Sequence, residues 1–160
     1  MKLEVEVLTR EAFKPYGDVI QIEGASSFFI NEGMTERFHD LAKVEFFEQD
    51  RVLMSINKAK PSPMPIKVSL LEKHPLGTQA FMPLRGEKFV IIVAQPGEDI
   101  DTNTLRAFIT DGTQGVNYHC GVWHHPLFAY QKETEFFTVD RAGENNCVVK
   151  KLPNVYELEL

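Results

Sequence analysis

The feature that most limits what this chain can fold into is a period of two. In "LEVEVL", Leu3, Val5 and Val7 alternate with Glu4 and Glu6. An extended strand with that pattern has one face suited to burial and one suited to water. The stretches "GDVIQIE", "AKVEFFE", "RVLMSINK", "IKVSLLEKH", "TQAFMPLR", "KFVIIVAQ", "LRAFITD", "EFFTVDR" and "CVVKKL" either alternate or run continuously apolar, rich in Val, Ile, Phe and Thr. Turn chemistry separates them: "PYGD", "HPLG", "LRGEK", "QPGED", "TDGTQG" and "RAGENN". About ten short strands so divided predict an all-β fold, an antiparallel barrel or sandwich. Helix has little room. "TREAFKPYG" offers Thr9 as N-cap and is stopped by Pro15 and Gly17, so it supports at most about two turns. "DTNTLRAF" has space for one more turn. "KPSPMP" is too short for a domain linker and reads as a stiff connection. A single domain over residues 1–160 is the expectation.

Charge and composition exclude several classes of function. The formal net charge of the 160 residues is -6, with the acid dispersed and no basic stretch to rival it. Nucleic acid and anionic membranes are therefore poor partners. A small anionic substrate remains compatible, because one local Arg can outweigh a mildly acidic surface. No apolar run approaches the ~20 residues that span a bilayer. The opening "MKLEVEVLTR" lacks an apolar signal core. Cys120 and Cys147 are far apart and form no CxxC pair, so free thiols in a reducing cytoplasm are expected. Cys120, beside His119, reads as a small buried hydrophobe or, more sharply, as a catalytic thiol.

Chemistry concentrates in two stretches on separate predicted strands. "GVNYHCGVWHHPLF" gathers three histidines, the only Trp and one of the two Cys. "LEKHPLGTQAFMPLRGEKFV" precedes it. Their spacing resembles the paired motifs of cupin barrels, whose inward-facing His and Glu side chains hold a metal. Counting back from Gly86 places Gln79 in the Glu slot, His74 in the second His slot and Glu72 in the first. Gly121 and His124 fit the glycine–histidine step of the second motif. The candidate metal set is Glu72, His74, Gln79 and His124. Strand alternation puts Glu72 and His74 on one face. A 2-His-1-carboxylate set with an amide suits a divalent transition ion, bound more weakly than by three His and a Glu. Adjacent His124 and His125 point opposite ways, so His125 is structural or interfacial. His119 is a pocket wall or a second acid. Trp123 is core or interface. Asp140 and Arg141 form a strand-end ion pair, or Arg141 grips a carboxylate. Arg37 and His39 alternate onto one face. Arg85 and Lys88 read as turn and strand-edge charges.

The wording of these stretches goes further than the spacing. "FFINEGMTERFHDLA", "LEKHPLGTQAFMPL", "LRAFITDGTQGVNYHCGVWHHPLFAYQ" and "FFTVDRAGENNC" together resemble the bacterial ureidoglycolate lyase family of allantoin catabolism, formerly called hydrolases. The resemblance runs from "LTREAFKPYGDVI" to "NCVVKKLP". It implies a cupin-like double-stranded β-helix, a homodimer, and cleavage of (S)-ureidoglycolate to glyoxylate and urea. It implies nickel or another divalent ion and no organic cofactor. Glu72 and Gln79 depart from the metal-cupin pattern. The substrate is a carbinolamide, whose breakdown needs a base at the hydroxyl and an acid at the leaving nitrogen. His suits both roles. Glu72, His74 and His124 are thus the expected catalytic residues. Gln79, His119, Arg37 and Arg141 are the expected substrate contacts. Aromatic residues near strand edges ("SSFFI", "VEFFE", "EFFTV") are consistent with a dimer. The alternative reading is a non-catalytic cupin-like domain that binds a small ligand. A dioxygenase or isomerase of the same fold fits the incomplete metal set poorly.

Overall fold

The computed structural model describes residues 1–48 and 51–160. It is built almost wholly of strands: β1 (Val5–Val7), β2 (Gly17–Ile20), β3 (Ser27–Ile30), β4 (Thr35–Phe38), β5 (Val52–Ala59), β6 (Ile66–Lys73), β7 (Gln79–Pro83), β8 (Val90–Ala94), β9 (Arg106–Ile109), β10 (Gly115–Tyr118), β11 (Trp123–His124), β12 (Thr134–Arg141) and β13 (Val148–Leu158). The one α-helix among the described residues, α1 (Arg10–Phe13), is a single turn capped by Thr9, whose hydroxyl accepts from the Ala12 N–H. A 3-10 turn over Thr102–Thr104 fills the second place where the sequence had room for helix.

The strands form a six-stranded sheet ordered β1-β9-β8-β11-β6-β13 and a five-stranded sheet ordered β2-β10-β7-β12-β5. Pairing is antiparallel except for β1 beside β9. The curled sheets make a half-barrel, in keeping with the expected cupin-like all-β class. The main core lies between them, where Ile91, Val93 and Phe108 of the first sheet meet Phe81, Tyr118 and Phe136 of the second. A second cluster, around Trp123, lies behind the six-stranded sheet. Strand β8 serves both. Ile91 and Val93 face the first cluster, and Val90, Ile92 and Ala94 face the second. A strand buried on both faces has no polar side, which is why "VIIVA" is continuously apolar.

Two segments depart from the alternation. "AKVEFFE" is predicted as a strand, but only Phe46 forms a bridge there, to Gly77. Residues 41–48 instead run as a strap across the outside of the five-stranded sheet. Two backbone bonds to residues 76–78, and side chains of Asp18, Asn117, Thr78 and Arg141, hold the strap backbone in place of a full neighbouring strand. Strands β3 and β4, not expected as a hairpin, pair only with each other. They leave Phe29 66% and Met34 85% exposed, so burial imposes no pattern on them.

Candidate active site

Strand β11 is only two residues long, yet it is paired on both sides. His124 lies opposite Val93 of β8 and Glu72 of β6, and Trp123 lies opposite Ala94. Cross-strand partners share a face. Val93 belongs to the core between the sheets and Ala94 to the cluster behind. His124 therefore points inward and Trp123 outward. His125 continues the alternation outward, its ring edge-on to Phe128 and its Nδ1 2.8 Å from the Pro126 carbonyl. The His124 ring stacks on Tyr118 at 4.2 Å, nearly parallel. Its Nδ1 is 3.3 Å from the His125 carbonyl. Since a carbonyl can only accept, Nδ1 carries the proton and Nε2 is a bare lone pair in the neutral ring. Burial, assisted by the charge on His74, lowers the pKa of His124 to about 4.

Glu72 and His74 reach the same interior from the end of β6 and the turn after it. His74 Nδ1 lies 2.5 Å from the Asn146 carbonyl, so it too is the protonated nitrogen and Nε2 faces the site. Glu72 Oε1 is 3.8 Å from His74 Nε2 and 3.9 Å from His124 Nδ1. These are ion-pair contacts, too long for hydrogen bonds. The two rings are 5.1 Å apart. Burial pulls the His74 pKa down, but Glu72 and the Asn146 carbonyl overcome it, and the net shift is upward. Burial likewise pushes Glu72 up, and the neighbouring His74 and His124 outweigh it, leaving the carboxyl below its ordinary value. The site thus biases the carboxyl and the His74 ring toward their charged forms and the His124 ring toward its neutral one. Cys147 Sγ sits 3.7 Å from Glu72 Oε2 on the open side.

Gln79 enters from β7, beside Tyr118 in the register with β10. Its Nε2 donates to Asp140 Oδ2 at 3.2 Å. The nitrogen His74 Nε2, the nitrogen His124 Nε2 and the oxygen Gln79 Oε1 are all buried and have no hydrogen-bond partner. Such atoms are costly unless something else satisfies them. A cavity of about 130 Å³ beside His74 is lined also by Thr78, Asp140, Arg141 and Asn146. One donor atom each from Glu72, His74 and His124 lies within 4.8 Å of the others. Two imidazoles and a carboxylate are a donor set of the kind that suits a divalent transition ion.

The other predicted contacts lie elsewhere or are otherwise engaged. Arg141, only 8% exposed, does not pair with Asp140. Its Nε donates to the Phe47 carbonyl, Nη2 to that of Glu48, and Nη1 to the Glu144 carbonyl and the Asn146 side chain. That saturates most of a guanidinium. It ties the strap to the turn whose Asn146 carbonyl holds His74. His119 lies outside the barrel, 3.3 Å from Asp18. Arg37 is exposed on β4 opposite Phe28, and no hydrogen bond joins it to the inner cluster among the described residues. His39 packs against Phe28. Cys120 Sγ faces the Glu45 carbonyl, and burial pushes its thiol pKa up, the opposite of an activated nucleophile. Asp140 and Asn146 were not expected near the chemistry. Asp140 was visible only as a presumed partner of Arg141, and Asn146 acts on His74 through its backbone, which no side-chain pattern records.

A family model described as ureidoglycolate lyase matches residues 1–159. A protein of Escherichia coli strain HS and one of Shigella boydii serotype 18, both named ureidoglycolate lyase, are each 57% identical over 153 residues, covering 96% of this chain and 96% of their own.

Proposed function

The chain belongs to the ureidoglycolate lyase family, and on that premise we propose that its inner cluster cleaves (S)-ureidoglycolate to glyoxylate and urea. The observation that carries this reading is two facing imidazoles beside one carboxylate, in surroundings that push their proton affinities in opposite directions. Elimination from a carbinolamide moves one proton off the hydroxyl and one onto the leaving nitrogen. Neutral His124 takes the first at its bare Nε2. Protonated His74 gives the second. The pair holds one proton before and after, so the repulsion of two imidazolium ions 5.1 Å apart is never incurred. Glu72, between the rings, stabilises the positive charge on whichever ring carries it. A passive binding pocket has no use for such a division.

A divalent ion, if bound, would be held by Glu72, His74 and His124, and would polarise the hydroxyl or grip the carboxylate. Arg141 is occupied by protein carbonyls and is not free to grip the carboxylate. Incubation with (S)-ureidoglycolate tests the proposal. Glyoxylate and urea in equal amounts are expected. Ammonia in place of urea would mean hydrolysis of the ureido group and would refute elimination.

The same reading includes a homodimer in the cytoplasm. On the outer face of β5 and β12, Met54 lies across from Val139 and Ile56 across from Phe137, and Met54 and Ile56 are 75% and 62% exposed. An exposed apolar patch at a sheet edge favours a second copy as cover. Light scattering at micromolar concentration would reveal a dimer, and a monomer would overturn this. Both cysteines are free, as a reducing compartment would keep them. No helix among the described residues is long and apolar enough to cross a membrane.

A further inference from the structure

We infer that Asp140 sets the substrate specificity of the site by fixing Gln79 so that its amide oxygen, and not its nitrogen, receives the terminal NH2 of a ureido group. This rests on the lyase reading above. An amide side chain is ambiguous by itself, because one end donates and the other accepts. The Asp140 carboxyl oxygen accepts here, so the NH2 end of Gln79 is the end that faces it. The contact is Gln79 Nε2 to Asp140 Oδ2 at 3.2 Å. Register makes it possible. Gln79 is level with Tyr118, and Tyr118 and Phe136 both belong to the core between the sheets. Asp140, four residues beyond Phe136 on the same strand, shares that inward face. Once the nitrogen is taken by Asp140, Oε1 is left buried with no donor.

The chemistry of the substrate then selects what fills the gap. The carboxylate and the urea carbonyl offer only lone pairs, and against Oε1 they would repel. The hydroxyl gives up its hydrogen during the reaction. The inner nitrogen is where the C–N bond breaks and a proton arrives, so it belongs beside the two imidazoles. Only the terminal NH2 donates hydrogens and keeps them from start to finish. A fixed acceptor placed for it recognises the ureido group without disturbing the reacting atoms. An analogue lacking that NH2 leaves a buried acceptor unpaired, which discriminates far better than shape alone.

The test compares two substrates that share a product. In 2-acetamido-2-hydroxyacetate, methyl replaces the terminal NH2. Loss of the hydroxyl proton and cleavage of C–N give glyoxylate from both compounds, with urea or acetamide leaving. The protein is expected to favour ureidoglycolate by roughly 10- to 100-fold in kcat/KM. Asp140→Leu and Gln79→Met should bring that ratio to within about 3-fold of one. Asp140→Asn, a milder change with less risk to folding, permits both amide orientations and should give an intermediate ratio. A ratio unchanged in folded Asp140→Leu and Asp140→Asn would overturn the inference. So would a ratio near one in the unaltered protein, or loss of bound nickel in Asp140→Leu with selectivity intact, which would put the oxygen on a metal. A protein that releases glyoxylate from neither compound fails the lyase reading itself, a result distinct from these.

Discussion

Carboxylate–histidine clusters lie on both sides of the sheet formed by β2, β10 and β7, the inner one carried by β6 and β11 of the facing sheet, and the two differ in what surrounds them. Inside are Glu72 with His74 and His124. Outside is Asp18 with His119. Outside, the partners are the strap backbone and the Asn117 side chain. Asp18 accepts from the Lys43 N–H at 3.0 Å and from Asn117 Nδ2 at 3.1 Å, and the same Nδ2 donates to the Lys43 carbonyl at 2.9 Å. These bonds pin the strap over residues 41–48. Only Asn117 Oδ1 is left without a partner there. Inside, the backbone holds just one nitrogen of each ring, and both Nε2 atoms and the Gln79 oxygen stand free. The same residue types thus serve two ends. Where protein groups complete nearly every bond the cluster fastens a segment, and where they stop short at three converging atoms it is shaped for a ligand.

The largest effect expected from this contrast is on turnover. His74→Ala should lower kcat by about 10²–10⁴-fold, the usual contribution of a general acid. His119→Ala should leave kcat within a few-fold. Steady-state kinetics on ureidoglycolate checks both, and equal losses would erase the distinction between the two sides. The next effect sharpens the boundary between them. Arg141 touches strap and site together, so Arg141→Lys should loosen the Asn146 carbonyl on His74. A loss of roughly 10-fold in kcat is expected from such mispositioning, with KM nearly unchanged. A rise in KM with kcat preserved would show instead that Arg141 binds the carboxylate. On the outer side the cost should fall on stability. Asn117→Ala removes two bonds to Asp18 and the strap and should destabilise by roughly 1–3 kcal/mol. Thermal melting should show that drop while kcat stays near normal.

A smaller effect follows from pH. Burial pushes the Asp18 carboxyl up, but the His119 and Asn117 bonds outweigh it and the net shift is downward. Its stabilisation is therefore present above the ordinary carboxylate value and lost as pH falls through the lowered folded one. His119 is raised, chiefly by its bond to Asp18. Its contribution is complete below the ordinary imidazole value and is lost as pH rises through the raised one. The melting temperature of Asp18→Asn should thus fall furthest below that of the parent between roughly pH 4 and pH 6.5. A gap that widens steadily toward alkaline pH would contradict the pairing.

Much of this contrast could be read in the sequence, and the remainder could not for identifiable reasons. Alternation disclosed the strands that bury one face, and the continuous run of β8 disclosed a strand that buries two. It failed for β3 and β4, which bury neither. It misplaced "AKVEFFE", whose backbone is bonded by side chains of distant residues and by a short turn segment, residues 76–78, and not by a full strand. The parity of "WHH" placed His124 inward and Trp123 and His125 outward, because a two-residue strand between Val93 and Glu72 leaves no freedom of register. The pairing of Gln79 with Asp140, 61 residues apart, has no local signature. Nor does a backbone carbonyl such as that of Asn146. The partner of His119 is likewise a remote Asp18, supplied by the pairing of β10 with β2.

The adjacent pair at the end of β11 offers the most direct measurement. Turnover of (S)-ureidoglycolate by His124→Ala and His125→Ala, compared in proteins shown to be folded by thermal melting, sets an inward ring against its outward neighbour. His124→Ala should lose about 10²–10⁴-fold in kcat, and His125→Ala no more than a few-fold despite some loss of stability from its packing on Phe128. If His125→Ala abolishes turnover while His124→Ala spares it, the inner cluster is not where the reaction occurs.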